Sequence, residues 1–134
     1  MIFRELLTRC DIDKVVYCVK QMMDNDHISQ KKLKKQYGKR IQELLAIKDY
    51  CVLEDTSFCF VVTEKADGRI YVGLYDTTGL YDLYGAQRDA LCNATDYAWL
   101  PESCLGIHVF EESIQKYGID LIVAGVLHAM EEWS

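Results

Sequence analysis

The sequence is poor in residues that interrupt regular structure, and it has no long apolar run. It contains one proline and eight glycines in 134 residues, which leaves no stretch for a flexible linker. No apolar run approaches the roughly 20 residues that are needed to span a bilayer. These absences and the length predict one domain, residues 1–134, with one hydrophobic core.

The first residues lack the features of an export signal. Arg4, Glu5 and Arg9 interrupt the short apolar stretch at the start of the sequence. A signal peptide instead carries an uninterrupted apolar segment. We therefore expect a cytoplasmic protein that does not bind a membrane.

The six cysteines lack the spacing of a metal site. No two of them form a CxxC pair, which is the usual spacing in structural zinc sites. Disulfides are not expected either, because no export signal is present. Cys18, Cys51 and Cys59 lie inside apolar runs, so we interpret them as small buried side chains. No metal and no cofactor is predicted.

Motifs that would identify an enzyme are also missing. The sequence has no GxxxxGK[ST] phosphate loop, no GxGxxG turn and no GxSxG nucleophile elbow. No cysteine has a histidine beside it in the sequence, although a pair formed in space would escape this test. We expect a protein without catalytic activity. The alternative is a small enzyme or ligand-binding protein with a pocket between sheet and helices.

One chemical pattern stands near the C-terminal end, in the string LHAMEE (127–132). On a helix, His128, Glu131 and Glu132 would share a face. The second histidine of a zinc-protease helix is missing, and one histidine with one carboxylate rarely completes a three-ligand site. We interpret His128 as a side chain at the edge of the core. A polar site that also includes His108 is the alternative.

Charge is distributed unevenly along the chain. Residues 1–50 have 11 Lys/Arg against 7 Asp/Glu, net +4, whereas residues 51–134 have 4 against 14, net −10. The run KKLKKQYGKR (31–40) holds six of the fifteen positive charges. Its apolar residues recur at helical spacing, so we interpret its lysines as the solvated face of a helix. Nucleic-acid binding is not expected, because the net charge of −6 repels phosphate.

The hydrophobic pattern predicts an α+β fold. Helical spacing indicates helices over 2–9, after an N-cap at Asp11, after an N-cap at Ser29, over 109–117 and over 120–133. Gly118 is predicted to end the fourth helix. The residues predicted to face inward are Leu33, Tyr37, Ile41, Leu44 and Leu45 in the third helix, and Leu121, Val123, Ala124, Leu127 and Met130 in the last. From Tyr50 the period changes, and the Asp-Gly turn in 66–69 is typical of a hairpin. We expect N-terminal helices, an antiparallel three- to four-stranded meander, and C-terminal helices packed on one face of the sheet.

The predicted strands carry tyrosines beside acidic residues. Cross-strand packing explains such rings, but tyrosine is also a preferred anchor of protein interfaces. The candidate interaction surface comprises Tyr71, Tyr75, Asp76, Tyr81, Asp82 and Tyr84.

Three segments of the sequence match a known pattern. In the closing segment LGIHVFEESIQKYGIDLIVAGVLHAME, from residue 105, the matching positions are Leu105, Gly106, Val109, Glu111, Glu112, Ile122, Val123 and Ala124. This segment resembles the closing segment of a family of small uncharacterised proteins from gut-dwelling anaerobic bacteria. FRELLTRCDIDKVV resembles the start of that family, and YGKRIQELL resembles its third helix. Residues 85–98 depart from the family as an insertion, and the chain lacks the aromatic, glycine-bearing end of the family's closing segment.

The resemblance implies a bacterial domain of unknown function and adds no activity. From the charge and the tyrosines we expect a protein-interaction module. One form is an immunity-like or antitoxin-like protein whose acidic second half covers a basic partner. The oligomeric state is left open.

Overall fold

The computed structural model describes residues 1–23, 27–50, 52, 58–64, 70–76, 81–82 and 104–133. Within these ranges the helices are α1 (Phe3–Arg9), α2 (Ile12–Met22), α3 (Gln30–Ala46), α4 (Glu111–Tyr117) and α5 (Ile119–Trp133). The strands are β1 (Phe58–Glu64), β2 (Ile70–Asp76), β3 (Tyr81–Asp82) and β4 (His108–Val109). Most of the described residues are therefore helical.

The second and third helices begin at the residues that the sequence predicts. The Asp11 carboxylate accepts a hydrogen bond from the backbone N–H of Asp13 at 2.9 Å. The Ser29 hydroxyl accepts one from the backbone N–H of Lys32 at 3.1 Å. Each contact satisfies a backbone donor that the helix leaves without an internal partner. Both predicted N-caps are confirmed.

The four strands form a mixed sheet in the order β3-β2-β1-β4. β1 and β2 pair antiparallel over their whole length, from Phe58 opposite Asp76 to Glu64 opposite Ile70. β3 pairs antiparallel with β2. β4 lies parallel to β1, with Val109 opposite Phe60. The Asp-Gly turn of 66–69 lies outside the described residues.

The predicted α+β fold with an antiparallel three- to four-stranded meander is wrong. The described chain is mainly helical, and β1 is flanked by a parallel strand that comes from the C-terminal third. Parallel neighbours require a long crossover connection, whereas a meander consists of hairpins only. The sequence concealed β4 because two residues are too few to show a strand period.

Residues before α1 extend the pairing on the other side of β4. Ile2 forms an antiparallel bridge with His108. The backbone N–H of Val109 donates to the carbonyl of Met1 at 2.9 Å. We predicted that Ile2 and Val109 would begin helices, and both predictions are wrong. The helices begin one and two residues later, because these backbones are engaged in strand pairing.

Helix α5 is the centre of the core and contacts α1, α2, α4 and β2. Its fully buried side chains occupy neighbouring positions: Ile122, Val123, Ala124, Val126 and Leu127. Between them, Gly125 lies so close to Val72 of β2 that a Cβ atom would overlap the valine side chain. Glycine is therefore required where α5 crosses the sheet.

The C-terminal end of α4 is also determined by a glycine. Gly118 has a φ of 86°, and its N–H donates to the carbonyl of Ile114. The predicted end of this helix at Gly118 is confirmed, since glycine is the residue that adopts a positive φ without strain.

No helix in the described ranges has both the length and the apolar composition to cross a membrane.

Candidate functional site

The polar pattern near the C-terminal end of α5 is partly engaged in contacts with α3. Glu131 Oε1 accepts a hydrogen bond from Gln36 Nε2 at 2.7 Å, and Glu131 Oε2 accepts one from the Tyr37 hydroxyl at 3.0 Å. Both donors belong to α3. His128 lies one turn before Glu131 and is half-buried. Glu132 belongs to the same helix, and its side chain lies outside the described part.

This contact links two long helices through one carboxylate. The Tyr37 ring is almost fully buried, with 1% of the residue exposed, and only its hydroxyl reaches the edge of the core. A buried tyrosine generally directs its O–H to an acceptor, and an ionised acceptor forms the stronger bond. The Glu131 carboxylate thus fixes the position of α5 against α3.

The sequence pattern identified Glu131 but not its partner. Tyr37 was predicted only as a member of the apolar stripe of α3. The signal that could have revealed the contact is the tyrosine itself, since a hydroxyl in a buried stripe requires an acceptor. The sequence does not reveal which acceptor this is, because the two positions are 94 residues apart.

The histidines lie on three different elements. His108 is in β4, directly opposite Cys59 in the register of β1, and is half-buried. His128 is in α5, and His27 is exposed in the turn before α3. Among the described residues, no group of three or more His, Cys, Asp or Glu side chains is arranged to hold a metal ion.

No disulfide is formed by the cysteines in the described ranges: Cys10, Cys18, Cys59 and Cys104. Burial raises the pKa of Cys59 above the usual range of a thiol. Burial, followed by the negative charge of Asp120, also raises the pKa of Cys10 and of Cys18. A thiol is a strong nucleophile only as the thiolate, so these groups are weak nucleophiles at neutral pH.

The predicted burial of three cysteines has a different outcome for each. Cys59 is buried, with 6% of the residue exposed, which confirms the prediction. Cys18 is half-buried and packs against the core. Cys51 lies outside the described residues.

The carboxylate of Asp120 has a structural partner. Its Oδ1 accepts a hydrogen bond from the backbone N–H of Asp11 at 2.8 Å. This bond joins the first turn of α5 to the N-cap of α2. The acidic side chain beside the two thiols therefore positions helices.

The candidate interaction surface is described only in part. The backbone register places Tyr75 opposite Asp82 and Asp76 opposite Tyr81. Residues alternate between the two faces of a strand, so positions 71 and 75 belong to the face opposite position 72, which is buried against α5. Tyr84 and the residues between the strands lie outside the described ranges.

The predicted surface therefore occupies two faces of the sheet. Residues directly opposite each other on neighbouring strands share a face. Positions 75 and 82 then lie on one face, and positions 76 and 81 lie on the face that α5 contacts. Cys59, which pairs with position 75, is buried, so the first face is covered at that point.

The lysines of the run 31–40 are on the outer side of α3. Leu33, Tyr37 and Ile41 are buried, which confirms the predicted apolar stripe. The lysines are exposed: Lys31, Lys32, Lys34, Lys35 and Lys39. Lys34 forms a salt bridge with Asp13 of α2 at 2.9 Å. The run is the outer face of an amphipathic helix, as its spacing predicts.

The chain matches no protein-family model, and searches of curated proteins and of solved structures found no match. The resemblance of its first, third and closing segments to a bacterial family therefore stays a prediction. The sequence and the geometry above are the basis for the proposals that follow.

Proposed function

We propose that this chain is a non-enzymatic protein-interaction module whose acidic second half binds a basic partner protein. The observation that carries the proposal is the separation of charge, net +4 over residues 1–50 and net −10 over residues 51–134. A surface of one sign attracts a partner of the opposite sign and accelerates their encounter. An immunity-like or antitoxin-like role in a bacterial cytoplasm is the concrete form of this proposal.

The arrangement of β2 and β3 supports the proposal. At the end of the strand order that β3 forms, each face of the sheet carries one tyrosine position and one aspartate position: 75 with 82 on one face, and 81 with 76 on the other. Tyrosine is a preferred interface anchor, and a carboxylate beside it attracts a basic partner. The raised pKa values of Cys10, Cys18 and Cys59 make these three thiols weak candidates for nucleophilic catalysis.

The alternative of a pocket between sheet and helices gains no support from the described contacts. Gly125 of α5 lies directly against Val72 of β2, and Phe60 of β1 packs edge-to-face on Phe3 of α1 at 5.7 Å between ring centroids. At these two points the sheet and the helices are in direct contact.

The test is binding to a labelled, arginine- and lysine-rich peptide, measured by fluorescence anisotropy at low and high salt. We expect binding that weakens as salt rises, because exposed charges are screened over about 8 Å at physiological ionic strength. The double variant Asp76→Asn with Asp82→Asn should weaken binding several-fold.

The matched control is Glu5→Gln with Glu43→Gln, which removes two exposed carboxylates from the first 50 residues. An equal loss of affinity in both variants would show that binding depends on net charge alone, and it would contradict the proposed surface. Affinity capture from the native host, repeated at both salt concentrations, then identifies the partner. The absence of any salt-sensitive partner would count against the proposal.

A further inference from the structure

A second charged surface lies on α3, on the side that faces away from the core. Lys31, Lys32, Lys35 and Lys39 fall within an arc of about 100° on the helix, at 100° per residue. The buried residues Leu33, Tyr37, Ile41 and Leu44 occupy the opposite arc. We call the four lysines the α3 lysine patch. It is about 12 Å long, from eight residues at 1.5 Å each.

Within the part of the chain that the structure describes, no carboxylate neutralises the lysines of the patch. All four are exposed, and none forms an ion pair with another described residue. The neighbouring cations differ, because Lys34 is bound to Asp13 at 2.9 Å and Arg40 lies 3.8 Å from Glu43. Those two cations are engaged within the protein.

The positive charge of the patch is unfavourable at this place on its own helix. The other described helices each carry an acidic residue in the first turn: Glu5, Asp13, Glu111 with Glu112, and Asp120. Helix α3 has none, and it begins with lysines at the positive end of the helix dipole. Lys31 and Lys35, and Lys35 and Lys39, are also like charges four residues apart, which repel each other on a helix.

We propose that the α3 lysine patch binds an acidic segment of a partner protein. A bound carboxylate relieves both the repulsion between the lysines and their conflict with the helix dipole. Glutamates four residues apart on a helix are separated by about 6 Å, which matches the spacing of Lys31, Lys35 and Lys39. This proposal is independent of the proposed function, whose partner is basic and whose surface is the sheet.

The short range of screened electrostatic interactions favours a protein segment over a nucleic acid as the ligand of the patch. The chain has a net charge of −6, so a long polyanion meets repulsion that extends beyond the patch. A short acidic segment lies within about 8 Å of the lysines, and salt screens its repulsion by the more distant negative charges of the protein. The patch also lacks the aromatic side chains on which unpaired bases stack, since Tyr37 of the same helix is buried.

The experiment measures binding of a fluorescein-labelled helical peptide with glutamate at every fourth position, by anisotropy at low salt. The test variant is Lys31→Gln with Lys35→Gln and Lys39→Gln. The control variant is Arg9→Gln with Lys14→Gln and Lys48→Gln, three exposed cations elsewhere. We expect the test variant to bind about tenfold more weakly, as three exposed ion pairs are lost, and the control to change less than twofold.

Four results would overturn the proposal. The first is a failure of the peptide to bind, and the second is an equal loss in both variants. The third is tighter, patch-dependent binding of a single-stranded DNA oligonucleotide of the same charge as the peptide. The fourth is self-association of the protein alone, measured by sedimentation, that the test variant abolishes, because it would assign the patch to a second copy. Circular dichroism melting checks that both variants fold, which we expect because all six substituted side chains are exposed.

Discussion

Helices α3 and α5 are both long, but they bury their side chains in different ways. α3 buries one stripe, at Leu33, Tyr37, Ile41 and Leu44, and exposes charge on the other side. α5 buries neighbouring residues from Ile122 to Leu127, so nearly its whole circumference is in contact with protein. An apolar stripe therefore predicts which face of a helix packs against the core, whereas a continuous apolar run predicts a helix that is buried on nearly all sides. Substitutions around most of α5 should therefore be costly, whereas substitutions on the exposed side of α3 should not.

The largest expected effect is a cavity at the centre of α5. Leu127→Ala should lower the free energy of unfolding by about 2 to 5 kcal/mol, because Leu127 is fully buried and its neighbours cannot close the space. Urea denaturation measures this change. Gln42→Ala, on the exposed side of α3, should stay within about 0.5 kcal/mol of the wild type. Similar losses in both variants would contradict the contrast between the helices.

The second prediction concerns two glycines in helix interiors. Gly125→Ala should destabilise the protein by about 1 to 3 kcal/mol, because the added Cβ overlaps Val72. Gly38→Ala in α3 should instead stabilise it by up to about 1 kcal/mol, since its nearest neighbour is Ile12 at 4.0 Å and alanine favours the helix. Thermal melts of the two variants should shift in opposite directions. A shift in the same direction would show that α5 does not approach β2 this closely.

The third prediction concerns the hydrogen bond between the helices. Tyr37→Phe removes the donor to Glu131 and should cost about 1 to 2 kcal/mol, as expected for a partly buried bond to a charged acceptor. A double-mutant cycle with Glu131→Gln measures the coupling directly. Tyr17→Phe is the matched control, because the Tyr17 hydroxyl accepts only an exposed bond from Gln21. Additive losses at Tyr37 and Glu131 would argue against the contact.

The smallest expected effect is at a helix end. Ser29→Ala should lower stability by about 1 kcal/mol, because the N-cap hydroxyl of α3 is lost. Thr8→Ala is the comparison, since the Thr8 hydroxyl donates to the Glu5 carbonyl within α1 and caps no helix start. Chemical denaturation distinguishes the two. An equal cost at Thr8 would indicate that any lost hydroxyl, rather than the cap, explains the loss.

Local signals in the sequence were sufficient where a capping residue marks the end of a helix. Asp11 and Ser29 cap helices as predicted, and Gly118 ends one, because each effect acts within four residues. The face of α5 was predicted less well. Leu121 was expected inside and is only half-buried, whereas Ile122 is fully buried. An apolar run without polar interruptions does not define which residue faces the core.

Contacts between distant segments were not predictable. The parallel pairing of β1 with β4 joins residues 49 positions apart, and the bond from Tyr37 to Glu131 joins α3 to α5. A single sequence carries no signal for such distances beyond the composition of each segment. The pattern His128, Glu131 and Glu132 could be recognised because it lies within five consecutive residues, as the caps do. The contacts of Glu131 with α3 could not be predicted, because they join distant parts of the chain.

The packing of α2 on α5 has a consequence for synthesis on the ribosome. About 100 residues separate the two helices, and at roughly 5 to 20 residues per second the ribosome needs on the order of 5 to 20 seconds to synthesise this segment. During that interval the apolar faces of α1 and α2 have no α5 to cover them. The nascent chain thus exposes a ready target for chaperones, and a pause in translation before α5 should increase their occupancy.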